Sequence, residues 1–239
     1  MPPGRAAIPA AEDLLRIAER RWGRRVALAT SFQAGGMVLL DLASRVAREL
    51  RVLTIDTGRL PAETYELIET VRARYGIEVE VLFPETARVE AMMRRAGPNL
   101  FRASRAQRME CCATRKSAPF RRALAGLDAW ITGARRQQSA ARAAMPRLGA
   151  DIVHAGVVKV APLADWSDED VWAYLNAHEV PYHQLYDRGY RSIGCAPCTR
   201  PVGPGEDPRA GRWWWEAGEQ RECGLHARLA AAPEPPGGA

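Results

Sequence analysis

Leu14, Ile17, Ala18 and Trp22 recur at helical spacing ahead of Gly23, a pattern that predicts an amphipathic helix ended by that glycine. The apolar run Val26 to Thr30 reads as a strand. A loop follows from Ser31 to Gly36, then a helix from Met37 to about Glu49 and a second strand from Val52 to Ile55. Strand, loop, helix and strand in that order form the unit of a parallel sheet. The unit recurs, with Asp56-Thr57-Gly58 as a turn, Pro61 to Tyr75 as a helix closed by Gly76, and Ile77 to Phe83 as an alternating third strand. Helices are predicted around Glu85 to Arg95 and Cys112 to Leu124, and strands at Trp130 to Thr132 and Val157 to Ala161. A last helix runs to about Asn176, with Ser167 as its cap and Asp170 three residues on.

After Val180 the periodicity gives way to Gly, Pro, Tyr, Trp and Cys, the composition of a segment arranged around sites rather than a second core. The expected organisation is an α/β nucleotide-binding domain over 1–179, a C-terminal segment over 180–229, and an Ala-, Pro- and Gly-rich end over 230–239 that is expected to be disordered. The fold class is α/β, a mostly parallel sheet flanked by helices, followed by an irregular tail. In open sheets of this kind ligands sit beyond the carboxyl ends of the strands. The loops at Ser31, Asp56 and Gly133 all leave strand ends and are expected to converge on one pocket.

Composition narrows the function classes. The 239 residues are 47% hydrophobic and 26% charged, which suits a soluble globular chain with no membrane span. No long apolar stretch follows Arg5 near the N-terminus, so the expected location is the cytoplasm. The formal charge of +6 favours an anionic partner, whether a nucleotide, a sulfate ester or nucleic acid. Arginine supplies nearly all of it, since Lys116 and Lys159 are the only lysines.

Five cysteines in such a chain point to metal or redox chemistry rather than a disulfide framework. Cys111-Cys112 and Cys195-Ala-Pro-Cys198 make two local pairs, which suit a zinc site, an iron–sulfur cluster or, for the second pair, a redox dithiol. Adjacent cysteines argue against zinc, whose structural ligands are usually separated by two to four residues. Pro201 is poorly placed for the helix that a thioredoxin-like dithiol opens. Cys223 is left over, in Arg221-Glu222-Cys223-Gly224-Leu225-His226, where neighbouring cations would favour the nucleophilic thiolate.

Seven blocks, in order, carry a resemblance to a known family. They are Ser31-Phe32, Ile55-Asp56-Thr57-Gly58 with Pro61-Ala62-Glu63-Thr64-Tyr65, Cys111-Cys112 with Arg115-Lys116, and Gly133 with Arg135, Arg136, Gln138, Ser139 and Arg142. Gly194-Cys195-Ala196-Pro197-Cys198-Thr199-Arg200-Pro201, Gly211-Arg212-Trp213-Trp214-Trp215 and Glu222-Cys223-Gly224-Leu225-His226 complete the set. From about Ala27 to His226 the chain resembles the assimilatory adenylyl-sulfate reductases, relatives of the phosphoadenylyl-sulfate reductases with an adenine-nucleotide α-hydrolase-like fold. One departure is Gln33-Ala34-Gly35-Gly36, where relatives commonly carry acidic residues. A glycine-rich turn entering a helix still offers backbone N–H groups to an anion.

The resemblance implies one 4Fe-4S cluster on Cys111, Cys112, Cys195 and Cys198, and Cys223 as nucleophile with His226 and Lys116 in the catalytic set. It implies substrate contacts from Ser31, Phe32, Gln33, Asp56, Thr57, Gly58, Gly133, Arg135, Arg136, Arg142, Arg209 and Arg212, since guanidinium forks suit phosphosulfate oxygens. The activity implied is thioredoxin-dependent reduction of adenylyl sulfate to sulfite and AMP through an S-sulfocysteine, in sulfate assimilation. The partners are adenylyl sulfate and reduced thioredoxin, with no membrane or nucleic acid, and a homo-oligomer is compatible. A thiol that meets nucleotide first and thioredoxin second implies a tail that moves from about Trp215. The neighbouring alternative is reduction of the 3′-phosphorylated substrate, or of both; remoter ones are an iron–sulfur tRNA-thiolating or nucleic-acid-binding protein of the same fold and a zinc-stabilised structural protein.

Overall fold

The computed structural model describes residues 7–216. Helix α1 (Ala7–Trp22) buries Ala11, Leu15 and Ala18, a stripe at i, i+4 and i+7. Strand β1 (Val26–Ala29) leads into α2 (Ala34–Val46), and β2 (Arg51–Ile55) into α3 (Ala62–Tyr75). Gly76 closes α3 at a φ of 64°, its N–H donating to Arg72 O, a left-handed cap that costs glycine little. Strand β3 (Val79–Leu82) is followed by three helices, α4 (Thr86–Ala96), α5 (Arg105–Cys112) and α6 (Ala118–Leu124), with a π-helical turn, Ala113–Ser117, joining the last two. Then come β4 (Ala129–Thr132), β5 (Leu148–Ala150), β6 (Val158–Val160) and α7 (Asp168–Ala177), whose cap Ser167 accepts from Asp170 N at its Oγ while its own N–H donates to the Asp170 carboxylate.

The six strands form one sheet in the order β3-β2-β1-β4-β6-β5, parallel throughout except for β5 at the edge. Period-two alternation sorts its side chains into two apolar layers. Val26, Leu28, Val52, Ala129 and Ile131 face the larger core with residues of α1, α2, α3 and α7. Ala27, Leu53 and Trp130 face the opposite layer with Phe120 and Leu124 of α6. The chain steps from β1 outward to β2 and β3, then returns to β4 on the other side of β1. A crevice opens at such a reversal, at the carboxyl ends of β1 and β4.

Three local differences from the sequence expectation bear on that crevice. Helix α2 begins at Ala34, so Gly35 and Gly36 lie in its first turn and not in the loop. A Cβ on Gly35 would stand 2.8 Å from Gly133 O and one on Gly36 2.4 Å from Thr30 Oγ1, so glycine lets the helix start against the neighbouring strand ends. The helix expected from Cys112 begins instead at Arg105, capped by Ser104, and Cys111 and Cys112 end its first section. Strand β5 was not anticipated; its side chains are exposed or half-buried and give no apolar run. Among the described residues no helix is long and apolar enough to cross a membrane.

Candidate functional site

A cavity of 1110 Å³ lies at the β1/β4 reversal, lined by Ser31, Gln33 and the first turn of α2, by Thr57 and Arg59 after β2, and by Gly133, Arg135 and Arg142 after β4. The three strand-end loops therefore converge. The returning segment closes the other side with Cys195, Cys198, Arg209 and Arg212. Basic side chains outnumber acidic ones around the wall, and the start of α2 adds helix N–H groups, so the space suits an anion.

The loop after β1 splits its residues between two tasks. Gln33 Nε2 donates to Ser31 Oγ at 3.0 Å, while its Oε1 accepts from Ile193 N at 2.9 Å, which ties the returning segment to the loop. Ala34 N donates to the Tyr186 hydroxyl at 3.1 Å. Phe32, expected on substrate, has no exposed surface and packs in the large core at a φ of 55°, with its N–H on Thr30 Oγ1. Asp56 is buried and shapes the next turn, accepting from Gly58 N at 2.7 Å and from Tyr65 OH at 2.9 Å. Gly58, at a φ of 70°, completes that turn. Neither Asp56, Gly58 nor Phe32 lines the cavity, whereas Thr57 does.

The arginines after β4 also diverge. Arg135 is buried and lines the cavity, paired with Asp168 at the start of α7. Arg142 is buried on the same wall, beside the side-chain oxygen of Gln138. Arg136 is turned away, with Nε on Met145 O at 2.8 Å and an ion pair to Asp165. With these partners it lies outside the cavity's lining. Arg212 is buried against Ser192 and Ile193, and Gly194 leaves the room it occupies. Lys116, in the π-helical turn, faces the same space; such widened turns recur at functional sites.

Cys111, Cys112, Cys195 and Cys198 form one group, walled by Met92, Leu100, Phe101 and Trp213. Every pair among the four interacts electrostatically. Burial, reinforced by the neighbouring thiols, pushes Cys112 up to about 11 and Cys198 up to about 12, and raises Cys111. Thiols whose ionisation is opposed by burial and by one another make a donor set that a cationic metal group neutralises. Two buried donors nearby, Arg115 Nε and Trp215 Nε1, lack a hydrogen-bond partner among the described residues. Thr57 Oγ1 lies 3.2 Å from Cys195 Sγ, and Arg115 Nη1 donates to Thr57 O at 2.8 Å. Four mutually interacting thiols with two unsatisfied donors beside them make a donor set suited to a metal group.

Arg115, Arg108 and Arg59 line the same cavity, and no sequence signal marks them with a role. Arg59 O accepts from Ala196 N at 2.8 Å, which holds the Cys195–Cys198 turn in place. Arg108 precedes Cys112 by one helical turn, a relation visible only once the helix is known to begin at Arg105. Its Nε and Nη2 donate to Glu216 at 2.8 and 2.9 Å. Trp215 packs on Phe101 at 5.9 Å between ring centroids. The chain is therefore held through Glu216, beyond the Trp215 expected to begin its movement. Cys223 and His226 lie outside the described residues.

The phosphoadenosine phosphosulfate reductase domain family matches residues 25–201. The chain is 48% identical over 210 residues to adenosine 5′-phosphosulfate reductase of Allochromatium vinosum, covering 88% of this chain and 82% of that protein. It is 43% identical over 222 residues to 5′-adenylylsulfate reductase 3, chloroplastic, of Arabidopsis thaliana, covering 90% of this chain and 48% of the plant protein. Among solved structures, phosphoadenylyl-sulfate reductase from Candida auris, in a phosphate complex, is similar with a TM-score of 0.68 and 28% identity over 80% of this chain and 90% of that one. Candida glabrata FMN adenylyltransferase shares the fold alone, at a TM-score of 0.60 and 16% identity over 92% of this chain and 76% of that one.

Proposed function

The chain belongs to the phosphoadenosine phosphosulfate reductase family and is an oxidoreductase of its adenylyl-sulfate reductase group; from that premise we propose that it reduces adenylyl sulfate to sulfite and AMP, in sulfate assimilation, through an S-sulfonated Cys223. The observation that carries this reading is the opening of the four-cysteine group into the same arginine-lined cavity as the strand-end loops. Cys111, Cys112, Cys195 and Cys198 would hold a 4Fe-4S cluster, which supplies a compact charged group beside the substrate and a cross-link between α5 and the returning segment.

The rest is work for side chains. Ser31, the start of α2 and Gly133 border the space for the nucleotide, while Arg135, Arg142, Arg209, Arg212 and Lys116 neutralise the phosphosulfate. Arg221 and His226 flank Cys223 and favour its thiolate. That thiolate attacks the sulfate sulfur, the sulfur–oxygen bond to the phosphate breaks, and AMP departs with the electron pair. One thiolate of reduced thioredoxin then attacks Cys223 Sγ, and sulfite leaves with the sulfur–sulfur electron pair. The second thiol closes the thioredoxin disulfide and returns Cys223 as a thiolate. The dithiol loses two electrons, and sulfur passes from the sulfate to the sulfite level.

The test offers anaerobically purified protein each nucleotide in turn, with reduced thioredoxin, and measures sulfite. Adenylyl sulfate is expected to be the good substrate and its 3′-phosphorylated form a much weaker one. The second reading, a preference for the phosphorylated form, draws on the likeness to the Candida auris enzyme, and a reversed ratio would establish it. Sulfite from neither nucleotide would sink both readings.

A further inference from the structure

The last turn of the described chain is pinned in a way that the chemistry above leaves unexplained. Arg108 has 2% side-chain exposure and Glu216 15%, and they form a bidentate pair across 108 positions of sequence. Trp213, at a φ of 46°, packs against the same guanidinium. The Arg108 guanidinium sits 4.3 Å from its ring centroid and that of Arg212 4.9 Å. Trp213 N donates to Cys198 O, and Glu216 N to Trp213 O. The segment that enters the cysteine group at Cys195 thus comes back to it at Trp213 and is fastened at Glu216 to the helix that carries Cys112, four residues from Arg108.

We propose that the Arg108–Glu216 pair is a positioning device that fixes the root of the Cys223-bearing segment against the four-cysteine group, an inference that rests on the reading of Cys223 as nucleophile. Cys223 lies seven positions beyond Glu216, and seven extended residues reach at most about 25 Å. Because Arg108 lines the cavity, tying Glu216 to it puts the cavity within that span and would raise the effective concentration of the Cys223 thiol there. Stability alone is a poor reason for such a pair. Desolvating two charges offsets most of their attraction, and an apolar replacement is often as stable. What a bidentate pair adds is direction, since it holds one register of the entering chain. Arg108 and Glu216 act through Cys223 and are positioning residues.

The experiment compares wild type, Glu216→Gln, Glu216→Asp, Arg108→Met and the Arg108→Met/Glu216→Gln double variant. Iron per chain, AMP affinity by calorimetry, and the first-order rate at which adenylyl sulfate without reductant adds sulfonate to the Cys223 peptide are measured for each. Glu216→Gln is expected to keep iron and AMP affinity while the sulfonation rate falls about tenfold, the size of effect that small misplacements produce. Glu216→Asp is expected to recover part of the loss, and the double variant to be no slower than the slower single one. A wild-type rate in Glu216→Gln overturns the inference, as does a loss that merely tracks lost iron or AMP affinity. Where Arg108→Met fails to fold, Glu216→Gln decides alone, because it leaves α5 untouched. Absence of sulfonate on Cys223 in the wild type overturns the nucleophile reading and this inference with it; equal rates in wild type and variants overturn this inference only.

Discussion

A thiol in the four-cysteine group and the thiol of Cys223 are the same functional group, and their roles part through their surroundings. Burial and mutual repulsion push the Cys112 and Cys198 thiols up, against ionisation, so they stay protonated unless a metal group stabilises the thiolates. Cys223 instead has Arg221 and His226 beside it in sequence. Cys198→Ser is expected to strip iron and colour, since three thiolates hold a weakened cluster. Cys223→Ser is expected to keep iron and AMP binding and to lower turnover by about 10⁴-fold or more, because a neutral hydroxyl replaces the thiolate. Iron analysis with a sulfite assay separates the two, and substantial turnover in Cys223→Ser would end its assignment. That Cys111, Cys112, Cys195 and Cys198 lie together was legible in the sequence, because two local pairs of thiols are a matter of residue type and spacing. The arginines were not all so, since neighbours along the chain need not point the same way. Arg135 lines the cavity while Arg136, the first residue of the short 3-10 turn Arg136–Gln138, pairs instead with Asp165.

At the scale of elements, the crevice depends on how closely α2 approaches the end of β4. A Cβ on Gly133 would lie 2.8 Å from Gly35 C and 2.9 Å from Gly36 N, all backbone that cannot swing aside. Gly133→Ala is therefore expected to cost about 1–3 kcal/mol by overpacking and to weaken AMP binding by displacing the start of α2. Urea denaturation and calorimetric titration measure the two effects, and an unchanged midpoint would show that the approach is not tight. The parallel core was legible because β1, β2 and β4 are apolar on both faces and separated by periodic helices with marked ends. What escaped was whatever lacked that periodicity. Arg105 to Glu110 holds a polar first turn and a half of α5, whose helicity is fixed by the Ser104 cap and by burial of Arg108 and Cys111. Strand β5 pairs through its backbone with β6 and presents little apolar surface.

At the scale of the whole molecule, function requires the returning segment to stay registered on the carboxyl edge of the sheet, and His183 is one of its fixings. This histidine has no exposed surface. Leu185 N donates to its Nδ1 at 3.3 Å, so the proton sits on Nε2, which donates to Thr64 Oγ1 of α3 at 2.9 Å. Burial holds its pKa below the ordinary 6.5, with Glu63 opposing the shift and Arg188 adding to it. As pH falls through 6.5 the unfolded chain gains a proton that the folded chain refuses. The stability His183 contributes is thus present above 6.5 and lost progressively as pH drops toward the depressed folded value. Each pH unit inside that window removes up to about 1.4 kcal/mol. His183→Gln offers an acceptor to Leu185 N and a donor to Thr64 without a titrating group. It is expected to flatten the fall in denaturation midpoint as pH drops below 6.5, because the variant has no group there whose protonation favours the unfolded chain. Because Gln33 and Tyr186 join the same segment to the nucleotide loop, AMP affinity in the wild type is expected to weaken over the same interval and to hold steadier in His183→Gln. Parallel pH profiles for the two proteins, in stability and in AMP affinity, would show that the segment is held without this histidine.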